Sequence, residues 1–151
     1  DPRTAGTTVR AVDVDTFEAV VYFKQPLNLG LLVFHEKWRD GFLKALGLFK
    51  KQDVQTGDKA FDGQFIIQSD APDKAKRLLN PDVRREILSF VAAKHRIYSE
   101  PGSLELTDKG LLYREGPIAA RQLKINLEGE AGNVIGGLLR IATAIESVQS
   151  S

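Results

Sequence analysis

No cysteine occurs among the 151 residues, which excludes disulfides, thiolate nucleophiles and cysteine-ligated metal sites together. The compartment stays open, because a cysteine-free domain suits reducing and oxidising surroundings alike. Histidine is nearly as scarce: His35 and His95 are the only two, so histidine-based acid–base chemistry has few places to sit. No run of about 18 apolar residues exists, so no stretch reads as a membrane-spanning helix. Charge of one sign is missing too. Its 21 basic and 20 acidic residues leave a formal net charge of +1, and no global field points to nucleic acid. The glycine-rich tract "EGEAGNVIGGLLR" lacks the Lys and Ser/Thr of a P-loop and the G-x-G-x-x-G spacing, which excludes a nucleotide cradle there. The acidic stretch "DVQTGDKAFDGQ" lacks the alternating ligands and distal Glu of a calcium loop, and no cofactor is expected.

What is present describes a chain that folds. Apolar residues make up 42% and charged residues 27%, ordinary for a globular domain, and a chain of this length buries about two thirds of its unfolded surface. A single domain over 1–151 is the expectation. Asp1 and Pro2 open the chain and no charged-then-apolar leader follows, so a processed form or a part of something longer is expected.

Residues 8–34 read as three strands: Val9, Val12 and Val14, then "FEAVVYF", then "LGLLVF", with Pro26 and Asn28 marking the last break. The short connections favour antiparallel neighbours. "FDGQFIIQ" puts Phe61, Phe65 and Ile67 on one side of an extended segment and Ile66 on the other, with Gly63 as a bulge or close approach. Ser69 or Asp70 then offers an acceptor to a helix that has Pro72 in its first turn, and Asn80–Pro81 repeats the device ahead of Val83, Ile87, Leu88 and Val91. Leu104 and Leu106, the turn "DKG", and Leu112–Tyr113 form a hairpin. Leu123, Leu127, Ala131, Val134, Leu138, Ile141, Ile145 and Val148 step by threes and fours, which predicts a long C-terminal helix broken near Gly129 and Gly132. Gly132 and Gly136, four apart, suit close packing of that helix against the sheet. The fold class is α+β: a largely antiparallel sheet of five to seven strands, with helices packed on one face and a long C-terminal helix.

The most specific functional signal is in residues 36–51. Trp38, Phe42, Leu46 and Phe49 recur at helical spacing, with Arg39, Lys44, Lys50 and Lys51 on other faces, although Gly41 and Gly47 weaken the helix. Aromatic residues on one side and amines on the other suit an anionic membrane surface or a protein partner. A core-facing helix on a sheet shows the same stripe. The rival reading is an enzyme, a hydrolase or a metal-assisted one, with a site near Asp58, Asp62 and His35 or His95. Against it, Asp53, Asp58 and Asp62 suit turn and cap chemistry, and His35 with Glu36 beside it would point to opposite sides of a strand. Lys74, Lys76, Arg77, Arg84, Arg85, Lys94 and Arg96 interleave with acids and with no aromatic residue, so they read as a solvated helical face and not as a nucleic-acid site.

The stretch "TGDKAFDGQFIIQSDAPDKAKRLLNPDVRREIL", followed by "LELTDKGLLYREG" and an apolar C-terminal helix, resembles a diffuse set of uncharacterised bacterial proteins. These share a T-G-D…F-D-x-x-F strand before S-D-x-P-x-x-A-x-x-L-L, often in chains that also carry transmembrane helices. The resemblance spans residues 56–148 and implies a soluble α+β domain, cytoplasmic or on the soluble face of a membrane. It carries no catalytic residue across. The expected function is therefore binding or scaffolding without catalysis.

Overall fold

Alternation of apolar and polar side chains decides which side of each strand is buried, and four of the strands obey it closely enough to define one sheet face. The computed structural model describes residues 7–11, 17–35, 52–97, 103–115 and 127–150, with the side chains of 7–11, 17, 52, 94–97, 115 and 127–133 outside the description. Along the chain the elements are β1 (Thr7–Ala11), β2 (Phe17–Tyr22), β3 (Leu32–His35), β4 (Gln52–Asp53), α1 (Lys59–Asp62), β5 (Phe65–Ser69), α2 (Pro72–Leu78), α3 (Pro81–Ile97), β6 (Ser103–Thr107), β7 (Gly110–Glu115) and α4 (Leu127–Gln149). The strands form one seven-stranded sheet in the order β1-β2-β7-β6-β3-β5-β4. Every neighbouring pair is antiparallel. The fold is α+β, with the antiparallel sheet and C-terminal helix that the periodicity predicts.

The expected adjacency of β2 and β3 is not found: the β6–β7 hairpin lies between them. Residues 23–31 connect them and must pass the end of two intervening strands, a span of about 14 Å at about 4.8 Å per strand. A tight turn cannot cover that distance. The connection buries Phe23, Leu27, Leu29 and Leu31 on its way, and Asn28 and Gly30 take left-handed φ values of 56° and 58° to steer it. A Cβ on Gly30 would collide with the Asp70 carboxylate. The third strand thus begins at Leu32 rather than Leu29, because the N–H groups of Leu29, Gly30 and Leu31 turn instead toward the Asp108 carboxylate, at 3.2, 2.8 and 2.9 Å.

Ala19, Val21, Val33, Ile67, Leu104, Leu106, Leu111 and Tyr113 share one face and form a single core with Ile87, Phe90, Leu138, Ile141 and Ile145 of the helices. α4 contacts β2 and β7 there, and α2 contacts β5. Leu32 and Phe34 are equally buried, at 4% and 1% exposure, yet point to the other face and lie outside that cluster. β3 is therefore buried on both sides, which is why its sequence reads as an unbroken apolar run.

Other boundaries move for local reasons. Phe61 belongs to α1 and not to a strand, because Asp58 accepts from the N–H groups of Ala60 and Phe61 and starts a helical turn that closes at Gly63. Gly63 is a helix cap rather than a bulge. Phe61 still reaches the core, stacked on Phe65 with ring centres 4.7 Å apart. Asn80 caps α3 as expected, its Oδ1 accepting from Val83 N at 2.9 Å. α2 has no side-chain cap; Ser69 Oγ accepts from Ala71 N and donates to Leu29 O instead.

α4 runs unbroken through Gly129 and Gly132. The glycine that permits close packing is Gly137, and its neighbour is α3, not the sheet: a Cβ there would stand 2.5 Å from the Phe90 ring. Contacts of Glu86 with Arg140 and of Phe90 with Gly137 make α3 and α4 antiparallel.

Two outcomes test these packing statements. Gly137→Ala gains helix propensity of about 1 kcal/mol but overpacks Phe90, so denaturant unfolding should show net destabilisation of about 1–2 kcal/mol, relieved when Phe90→Leu is added. Asp108→Ala leaves three N–H groups without an acceptor and should cost about 3 kcal/mol, with Asp108→Asn in between.

Candidate functional site

The acidic pair is the first place where chemistry was expected. Asp58 Oδ1 accepts from Ala60 N at 3.0 Å and Phe61 N at 3.2 Å, and its Oδ2 meets Arg84 Nε at 3.1 Å. The Phe61 N–H first, and the Arg84 guanidinium with it, hold the Asp58 carboxyl below its usual range. Asp62 accepts from Thr56 N, Thr56 Oγ1 and Gly57 N at 3.0, 2.7 and 3.0 Å. Arg84 Nη1 also donates to Leu79 O at 2.7 Å, so the "TGDKAFD" loop is laced to the start of α3. Asp58, kept ionised by these donors, is a poor proton carrier at neutral pH. These groups punctuate the chain.

His35 ends β3 buried at 6% exposure, edge-on to Phe65 with ring centres 5.4 Å apart. His95 lies on α3 at a position whose side chain is outside the described residues. Among the described residues no group of three or more His, Asp or Glu is placed to hold a metal ion. Trp38, Arg39, Phe42, Lys44, Leu46, Phe49, Lys50 and Lys51 all lie outside the described residues. Among the described residues no helix is long and apolar enough to cross a membrane.

On the second sheet face, Glu18 and Arg114 sit opposite each other on β2 and β7. Arg114 Nε and Nη2 donate to Glu18 Oε2 at 3.2 and 2.9 Å. The Glu18 side chain is 5% exposed and that of Arg114 54%, so the pair neutralises a buried charge from the solvent side. Glu105 lies between Phe34 and Leu112 in the register. Burial pushes its carboxyl above the usual range, and Arg114 opposes that shift.

Concave surface is found elsewhere. An open groove of about 580 Å³ separates α4 from the first turns of α3, with Arg85, Glu86, Leu139, Arg140 and Val148 among its walls. A second groove of about 370 Å³ lies on the opposite flank of α4, between Lys24 and Glu146. Leu139, Thr143 and Ser147 line both and form the ridge between them. The carboxylates of the larger groove are matched by cations: Asp82 with Arg85 at 2.9 Å and Glu86 with Arg140 at 3.8 Å. Open, charge-matched walls suit contact with another surface better than proton transfer.

Sequence reasoning missed these groove residues. Their signal was the half-turn of α4 left over once the buried positions Val134, Leu138, Ile141 and Ile145 are removed. No protein-family model, curated protein or solved structure matches the chain.

The raised Glu105 pKa has a definite sign. Above both the folded and unfolded values the folded state carries a disfavoured charge; below the unfolded value that cost is gone. Glu105→Gln should therefore raise the thermal midpoint at pH 7, and the gain should disappear below about pH 4, where both side chains are neutral.

Proposed function

We propose that this domain binds or scaffolds and does not catalyse. The observation that carries the reading is the condition of Asp58 and Asp62, the carboxylates of the rival enzymatic site: their oxygens are taken up by backbone N–H groups, Thr56 Oγ1 and Arg84. The partner is a protein or an anionic membrane surface, and nucleic acid is not among the partners, since charge is balanced along the chain at +1.

In its sharper form the proposal is a bacterial, membrane-peripheral domain that contacts anionic lipid through residues 36–51. Trp38, Phe42, Leu46 and Phe49 enter the acyl boundary, and Arg39, Lys44, Lys50 and Lys51 face the headgroups. Support for this form comes from the sequence pattern alone.

Trp38 is the only tryptophan, so its emission reports on this segment without interference. With vesicles containing phosphatidylserine, emission should shift to the blue, and the shift should weaken between low salt and about 0.5 M salt. A ring that is already blue-shifted and indifferent to vesicles removes the membrane form and leaves a protein partner.

A further inference from the structure

We draw no further inference here: the strongest candidate, the second sheet face on which Glu18, Glu105 and Arg114 lie beside buried Leu32 and Phe34, carries nothing because nothing among the described residues shows what covers it.

Discussion

The contact on which the rest of the sheet depends is the carboxylate of Asp108 seated against three consecutive backbone N–H groups, those of Leu29, Gly30 and Leu31. Its necessity follows from topology. With β7 and β6 inserted between β2 and β3, the chain has to cross the end of the hairpin in extended, irregular form, and such a segment has no ladder partners for its own donors. The hairpin turn supplies them: Lys109 O and Asp108 O accept from Phe23 N and Leu27 N, and the Asp108 side chain takes the next three. From the other side, Asp70 N and Ser69 Oγ donate to Leu29 O. One crossing is thereby fastened to both the hairpin and the β5–α2 corner.

Charge is handled by the same economy. Asp58, Asp62, Asp108 and Asn80 each satisfy backbone donors that secondary structure leaves open, and Arg84 joins two of the loops through Asp58 and Leu79 O. Glu18 and Glu105 are different, since they lie on the second sheet face beside the buried Leu32 and Phe34. There Arg114 is the cation common to both, pairing with Glu18 directly and acting on Glu105 at longer range. These charged side chains beside buried Leu32 and Phe34 distinguish that face from the one on which α4 packs.

Much of the fold was legible in the sequence, and the misses share a cause. Pro72, Asn80–Pro81 and the "DKG" turn announced α2, α3 and the β6–β7 hairpin because caps and turns are set by residues next to each other. Phe61 and Gly63 misled because a period of two over a few residues also fits one helical turn, and Asp58 decided for the turn. The glycines of α4 misled in the same manner. Spacing alone could not say that Gly137, and not Gly132 with Gly136, would meet Phe90, because that depends on how α3 crosses α4. The grooves were illegible as sites, since Arg85, Glu86 and Arg140 come from segments more than fifty positions apart.

By itself the sequence determined the class of the domain, the position of most elements, the absence of thiol chemistry and the carboxylates' role as punctuation. These follow from periodicity, composition and short-range hydrogen bonding, all of which act within a few residues. Only the tertiary structure decided that β7 and β6 separate β2 from β3, that β3 is buried on both faces, and that the outer face of α4 lies between two grooves. Strand order and helix crossing are set by which apolar faces meet and by which distant carboxylate finds which unpaired N–H, and neither leaves a mark at any one position in the chain.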